Sequence, residues 1–294
     1  MTPARQTARK KRSPYPAWFF LPAGVIYGVL FLVPTFASVY FSLTRWNLFN
    51  STFIGLDNFV SFFQEPFLVK GLINTIIFAV LTAVLKCIIG LGLGILLTSN
   101  IWMRGLLRTI AFFPVLVSVI GIGITFTIMM HPTQGIINVA LEVIGIDGPG
   151  WLTTPSLALY SVAFVEVWRG VGLASVIFIA GLVSIPRDYY EAARIDGATK
   201  WQQFWRITLP LVRPATATVM ILSVVYGLRS FELIWTMTKG GPGFSSDVIA
   251  SVIYKQYQAG FYGLSTAGNV ILFVLITVLV MPLVSYFNRR ELDL

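Results

Sequence analysis

The sequence predicts an all-α membrane protein of six transmembrane helices with both termini in the cytoplasm. Three observations carry that expectation. Of the 294 residues, 56% are apolar and only 11% are charged, against about 25% charged in an ordinary soluble domain. Six stretches, near 18–42, 72–98, 108–130, 157–182, 214–237 and 264–287, are long and apolar enough to cross hydrocarbon, which takes about 20 residues of helix. Fourteen Lys and Arg fall on one side of a chain so threaded and four on the other, and the richer side is cytoplasmic. The same composition sets aside whole classes of function. One Cys (Cys87) leaves no internal disulfide, and one His (His131) leaves almost nothing for a metal site or a His-based relay. No catalytic or metal residue is therefore expected. A formal charge of +9 on so apolar a chain orients membrane segments rather than binding nucleic acid.

Residues 1–17 form a basic N-terminal tail with Arg5, Arg9, Lys10, Lys11 and Arg12. It resembles the start of a signal peptide and has the Arg-rich, acid-poor look of a transit peptide. The apolar stretch behind it is too long for a signal core of about 7–15 residues, so it reads as an uncleaved first span. Tyr15, Trp18 and Phe19 mark the inner interface, and Trp46 and Trp151 mark outer ends. Residues 57–63 form a short amphipathic helix along the membrane surface. The first span has few polar residues and is peripheral, while the Gly and charges from 72 onward belong to a packed bundle. One membrane domain, 18–287, is followed by a cytoplasmic tail, 288–294, with Arg289 and Arg290.

Gly90, Gly92 and Gly94 lie in an apolar span with no strand before them, which excludes a phosphate-binding loop. Gly90 with Gly94, and Gly24 with Gly28, instead have the four-residue spacing that lets a second helix come close. Cys87 reads as a small core residue, and His131-Pro132 as a helix end.

Five charged residues fall inside the spans: Lys86, Glu166, Arg169, Arg229 and Glu232. A lone charge in hydrocarbon costs at least about 2.5–3.5 kcal/mol, so these side chains must face protein or water. Lys86 shares a stripe with Gly90 and Gly94. Glu166 with Arg169, and Arg229 with Glu232, are three apart, so each pair lies on one helix face and can neutralise itself. Two readings fit. The pairs, with Trp168, Tyr226 and Trp235 nearby, line a polar translocation path, since aromatic faces stack well on the apolar faces of sugar rings and charged groups hydrogen-bond hydroxyls. Alternatively they are structural ion pairs that hold the helices in register.

The loop 184–213 is the longest on the basic side. Pro186 suits a helix start, Asp188 and Glu191 lie early in that helix where the macrodipole favours acid, and Asp196-Gly197 signals a turn. Trp201, Phe204, Trp205 and Thr208 then share a helical face, ended by Pro210 and Pro214. A short helix, a Gly turn and an aromatic-faced helix can dock into a partner's groove, although a surface helix that packs only on its own bundle has the same pattern.

Glu191-Ala192-Ala193, Gly197, Ile207 and Leu209-Pro210 resemble the EAA–G–I–LP signature of ABC-importer permeases, with six residues from Glu191 to Gly197 and ten from there to Ile207. Residues 53–59, the run from Gly135-Ile136-Ile137-Asn138 to Trp151-Leu152, and Phe231–Trp235 followed by Thr238–Pro242 resemble segments of the carbohydrate-uptake branch. That branch often has Asp in place of Glu232 and a third Gly in place of Lys239. The resemblance implies a type I ABC importer permease fold in the cytoplasmic (inner) membrane of a bacterium or archaeon. It implies a second homologous permease, two ATP-binding subunits that hold ATP and Mg, an extracellular solute-binding protein and surrounding lipid as partners. No nucleic acid and no cofactor on this chain are implied. Glu191, Ala192, Ala193, Asp196, Gly197, Ile207 and Pro210 would couple it to the ATPase through residues 187–205. The chain has no Gly-x-x-x-x-Gly-Lys-Ser/Thr sequence, so it would not hydrolyse ATP itself. The outer loops 43–71, 131–156 and 238–263 would meet the binding protein, with a tight turn at Gly240-Gly241-Pro242-Gly243. A permease for a polar sugar relative such as glycerol phosphate stands as the alternative. A secondary transporter would leave the signature unexplained, and one His, one Cys and no Gly-x-Ser-Gly motif argue against intramembrane proteolysis.

The topology is checked with alkaline phosphatase fusions in bacteria. Fusions after Gly145 and Gly243 should be active and one after Gly197 inactive; the reverse pattern would overturn the threading.

Overall fold

A computed structural model describes residues 17–47 and 49–291. The basic run before residue 13, Tyr15, and the side chains of Arg289 and Arg290 lie outside the described residues. Among the described residues the regular structure is helical except for one short ribbon. In order come α1 (Trp18–Ser42), β1 (Thr44–Trp46), β2 (Ser51–Phe53), α2 (Asp57–Gln64), α3 (Pro66–Thr98), α4 (Arg104–Leu116), α5 (Val119–Met129), α6 (Ile136–Val143), α7 (Ala158–Val183) and α8 (Arg187–Ile195). Then follow α9 (Lys200–Leu211), α10 (Arg213–Leu228), α11 (Glu232–Met237), α12 (Ile249–Gln258) and α13 (Tyr262–Glu291). Four of these, α1, α3, α7 and α13, are long and apolar enough to cross a membrane, and six spans result if the bent pairs α4–α5 and α9–α10 each count as one.

The centre of the bundle is α3, α7 and α10. Close approach of α3 to α7 is made by small residues. A Cβ on Gly90 would sit 2.8 Å from Ala174 Cβ, and one on Gly94 2.9 Å from Phe178 Cβ. Phe178 is completely buried, so the expected small-residue seam exists in α3. The α7–α10 contact repeats the device, with Gly181 against Ala215 and Val212. Half of the most apolar stretch of α7 is buried, while α1 buries none of its own. The first span is peripheral, as its lack of polar residues predicts. Gly24 and Gly28, however, meet nothing within 4 Å, and the expected close packing there is absent within this chain.

Three departures from the predicted spans have local causes. The third span is not continuous: α4 and α5 meet at 98°. Pro114 removes a backbone donor inside α4, and Val117 is extended before Ser118 starts the next helix. The fifth span ends at Leu228 rather than near 237, and α11 begins a new direction after Phe231 (φ −135°, ψ −57°). It also starts with a bend, α9 meeting α10 at 64° around Val212. The second span begins at Pro66, six residues before the predicted start at 72.

Two stretches wind as π-helix, Gly28–Leu32 and Phe204–Thr208. Each stops two residues before a proline, Pro34 and Pro210. A proline ring clashes with the carbonyl four residues back, and widening the preceding turn to i→i+5 bonding relieves that contact. Leu209 accordingly donates to Phe204 O and Val33 to Gly28 O.

At the end of the bundle opposite α8, loops are pinned by buried amides. Asn58 Nδ2 donates to Ser42 O and Thr44 O, both at 2.8 Å, fastening α2 to the end of α1. The predicted surface helix is thus present, with Phe62 turned into the bundle. Asn74 Nδ2 donates to Ser245 O and Asp247 O, and Ile249 N donates to Thr75 Oγ1. The Asp247 carboxylate, wholly buried, accepts from Ser251 Oγ and Lys255 Nζ. The turn at 240–243 holds two left-handed glycines, Gly240 (φ 84°) and Gly243 (φ 55°). Asn138 ties Pro132 O and Pro149 O together and accepts from Trp151 Nε1 at 2.6 Å, which joins the two halves of the motif noted at 135–152. His131, just past the end of α5, accepts from the backbone of Thr133 and Gln134 through its ring, a helix-end role as expected. The ribbon β1–β2, with Thr44 opposite Phe53, was not predicted.

A paired substitution tests the close packing. A Cβ on Gly172 would run into the Ala111 backbone of α4, whereas one on Gly92 meets nothing. Gly172→Ala should lower the melting temperature of the purified protein, at an overpacking cost of about 1–3 kcal/mol, and Gly92→Ala should leave it unchanged.

Candidate functional site

Lys86 and Glu166 lie on facing helices, α3 and α7, each 4% exposed. Lys86 Nζ donates to Glu166 Oε1 at 2.7 Å. From the next turn of α7, Arg169 donates through Nε to Oε2 at 3.1 Å and through Nη2 to Oε1 at 3.0 Å. Gly170 makes room for this cluster: a Cβ there would meet Lys86 Cε at 2.5 Å and Nζ at 2.6 Å. The helix spacing that pairs Glu166 with Arg169 is visible in sequence. The third member is not, because nothing local connects positions 86 and 166. One carboxylate thus serves two cations, with four oxygen lone-pair directions available to receive them.

The cluster forms the floor of a groove. Two adjoining cavities, about 250 Å³ and 530 Å³, share Glu166, Arg169, Leu222 and Tyr226 as lining. The smaller runs inward past Lys86 and Ser223 of α10, and the larger opens outward past Arg229, Ser230 and Glu232. Of the predicted path residues, Glu166, Arg169, Tyr226, Arg229 and Glu232 therefore come together on one groove. Trp168 and Trp235 do not line either cavity. Trp168 is two residues from Glu166, and such neighbours point to opposite sides of a helix; it packs against Phe126 with ring centroids 5.1 Å apart. Trp235 stacks on Phe231 at 5.6 Å and meets the edge of Tyr254 at 4.8 Å.

Arg229 and Glu232 are not a self-neutralising pair. Because the helix stops at Leu228, they lie on either side of a break, both exposed and without an ion pair to each other. Two charged groups left free in a groove can hydrogen-bond hydroxyls of a passing ligand, whereas Lys86, Glu166 and Arg169 satisfy one another.

The loop 184–213 folds as predicted into helix, turn and helix. Asp188 sits in the first turn of α8 and Arg194 in the last, complementing the macrodipole. The exit is a Schellman motif: Ala198 N donates to Ala193 O at 2.9 Å and Gly197 N to Arg194 O at 3.1 Å, with Gly197 at φ 76°. The last Ala of the EAA run, whose carbonyl accepts from Ala198, and the Gly six residues after Glu191, whose positive φ turns the chain, thus belong to one cap. Thr199 then caps α9 in a capping box with Gln202, a pattern legible in Thr199-Lys200-Trp201-Gln202 that the sequence reading passed over. No residue of α8 is buried. Glu191, Ala192 and Asp196 are exposed, while Ile207 and Pro210 of α9 are half-buried. Glu191 reaches Arg194 at 3.8 Å, both side chains more than 60% exposed, and such pairs contribute little. Trp201 and Trp205 are exposed, Phe204 half-buried and Thr208 buried. The three rings touch one another, with centroids 5.3 to 6.1 Å apart, so the predicted aromatic face forms, and Thr208 at the end of the wide turn is its buried member.

The ion cluster generates a graded expectation. Glu166→Gln leaves two cations without a carboxylate and should cost about 3–5 kcal/mol, read as a large loss of folded protein in membranes. Adding Lys86→Met should recover much of that yield, and Arg169→Gln alone should be mild because the Lys86–Glu166 contact remains.

Residues 87–292 match the family described as binding-protein-dependent transport system inner membrane component. A probable ABC transporter permease of Bacillus subtilis (strain 168), YurN, is 31% identical over 282 residues, covering 93% of this chain and 97% of that one. The trehalose/maltose transport system permease MalF of Thermococcus litoralis is 31% identical over 258 residues, covering 87% and 88%. Among solved structures, a chain of a bacterial alginate ABC transporter in complex with an alginate pentasaccharide-bound periplasmic protein superposes with a TM-score of 0.79 at 25% identity, covering 90% of this chain and 91% of that one. With the family match extending over most of its length, and with apolar helices that fit a multi-pass membrane protein, this chain belongs to the binding-protein-dependent transport system inner membrane components.

Proposed function

We infer that this chain is the permease subunit of an ATP-driven importer that moves a sugar or oligosaccharide across the cytoplasmic membrane. The observation that carries the coupling half of this reading is α8: nine residues, none buried, ended by the Gly197 cap and presenting Glu191 to whatever lies beneath. A helix with so little hold on its own bundle is suited to a partner's groove. The sugar half rests on the relatives, one named for trehalose and maltose and one for alginate, and on a groove with free Arg229 and Glu232 beside Tyr226.

In this reading two ATP-binding subunits hold ATP and Mg below α8, and a second homologous permease completes the path across the open groove. An extracellular solute-binding protein docks on the loops 43–71, 131–156 and 238–263, and lipid surrounds α1. Both termini and the loop 184–213 are cytoplasmic. Closure of the ATPase pair on ATP moves α8 as a rigid piece, the bundle turns outward to receive sugar, and hydrolysis resets it, a switch between discrete packings. Neither nucleic acid nor a resident cofactor has a role on this chain. A polar sugar relative such as glycerol phosphate fits the same groove through Arg229.

The reading is tested by co-expressing the chain with the subunits encoded beside it. Gly197→Pro or Glu191→Lys should let the chain insert but reduce uptake by roughly tenfold or more relative to ATP hydrolysis, since Pro breaks the helix exit and Lys reverses the charge. Full uptake by both variants would refute coupling through α8. For the path, Glu232→Gln should alter substrate-dependent uptake at normal expression, and unchanged kinetics would remove Glu232 from it.

A further inference from the structure

The search for what joins α8 to the membrane helices has a narrow answer. In α8 only Tyr190 and Ala193 are even half-buried. The Ala193 carbonyl is spent on the Schellman cap. Its other polar contacts among the described residues are local: Arg194 bonds Tyr190 O and Glu191 within the helix. Among the described residues, the one side-chain hydrogen bond from α8 to a different helix joins Tyr190 Oη and Thr208 Oγ1, at 2.9 Å. It lands at a particular place. Thr208 is 8% exposed and closes the π-helical turn Phe204–Thr208, and wide turns of this kind often sit at functional sites. Four residues on, Val212 is completely buried at the 64° bend that leads into α10, and it lies against the position of Gly181 in α7. From that bend, α10 runs to Leu222 and Tyr226 in the groove. Behind the hydrogen bond lies a cavity of about 350 Å³, lined by Tyr190, Gln203, Phe204 and Thr208 together with Thr98 and Leu182 from the ends of α3 and α7. The contact therefore has room on one side to move without displacing the core.

We propose that the Tyr190–Thr208 hydrogen bond is the latch through which α8 turns α10, making Tyr190 and Thr208 positioning residues for the transport cycle. This rests on the importer reading and adds the element that transmits the motion. A helix held by one polar contact and by covalent connections at each end transmits force through those three points. The connections are the Ile185-Pro186 entry and the Gly197 turn. The turn at Gly197 is fastened by its own cap and by Gln203 Nε2, which donates to Ala198 O at 2.9 Å, so it joins α8 to the start of α9, while the Tyr190 contact joins α8 to the buried end of the wide turn.

The test needs no knowledge of the sugar. In a Cys87→Ala background, Ser230→Cys places a thiol in the groove, and a membrane-impermeant maleimide reports its exposure in the assembled complex with and without ATP plus vanadate. Tyr190→Phe and Thr208→Val should each reduce the ATP-dependent change in labelling rate by roughly fivefold, the size of one hydrogen bond, while ATP hydrolysis and co-purification of the ATPase persist. Thr208→Ser, which keeps the hydroxyl, should restore the change, and the double variant Tyr190→Phe, Thr208→Val should be no worse than either single one. An unaltered ATP-dependent change in Tyr190→Phe overturns the latch and leaves the importer reading standing. Additive losses in the double variant, or no rescue by Thr208→Ser, overturn it as well. A background complex with no ATP-dependent labelling at all overturns the importer reading and the latch with it.

Discussion

The centre of the bundle is arranged around one requirement: the charges of Lys86 and Glu166, buried between two helices at the floor of the groove, must be satisfied, and Arg169 shares the same carboxylate. Lys86 and Glu166 are both 4% exposed and come from different helices, so their 2.7 Å contact fixes the register of α3 against α7. A slide of one turn, about 5.4 Å, would strand Lys86 and leave Glu166 with Arg169 alone. The small residues around the cluster follow from it. Gly170 lets the Lys86 stem cross the face of α7, and Gly90 and Gly94 let the two backbones come near enough for the ions to meet. Sequence spacing shows two readings for these charges, path or structural pair. The structure divides them: the cluster is internally satisfied and forms the floor of the groove, and Arg229 and Glu232 stand free along its wall.

The rigid centre contrasts with the two places where the chain is deliberately loose. One is the break at 229–231, which separates α10 from α11 and exposes both charges. The other is the wide turn at 204–208 with the bend at Val212 behind it. Both π-helical stretches lie just ahead of a proline, so the loosening is a local consequence of backbone chemistry rather than of tertiary packing. At the opposite end the loops are held firmly. Buried Asn58, Asn74 and Asn138 each hydrogen-bond two backbone carbonyls, and Asp247 gathers Ser251 and Lys255. Firmly held loops at one end, a packed centre and an α8 joined to another helix by one side-chain hydrogen bond among the described residues make the two ends of the bundle differ.

How much of this was legible depended on the range of the interaction. The helix–turn–helix of 187–211 could be read because each part is local: Pro186 and Asp188 at the start, Gly197 at the turn, Pro210 near the end. Amphipathic periodicity found α2, and the absence of polar residues placed α1 at the periphery. Gly24 and Gly28 have the same spacing as Gly90 and Gly94, yet only the second pair touches another helix, because spacing permits an approach and only a partner surface makes one. The broken third and fifth spans were missed because apolar composition measures affinity for hydrocarbon, not straightness. Trp168 and Trp235 were placed with the charges on proximity in sequence; Trp168, two residues from Glu166, faces another side of α7, and Trp235 stacks on the groove-lining Phe231 without itself lining either cavity.

The sequence by itself determined the class of protein, the threading it predicts, the signature loop and the identity of the charges that had to be satisfied. These follow from transfer free energies and backbone preferences, which act residue by residue or within one helical turn. Only the tertiary structure decided that Lys86 completes the Glu166 cluster, that Asn74 and Thr75 hold the 245–249 segment, and that Tyr190 reaches Thr208. The first two kinds of contact join positions 80 to 174 residues apart. The third is only 18 apart but crosses a turn. No local pattern specifies such meetings, since they exist only when separately folded helices have packed.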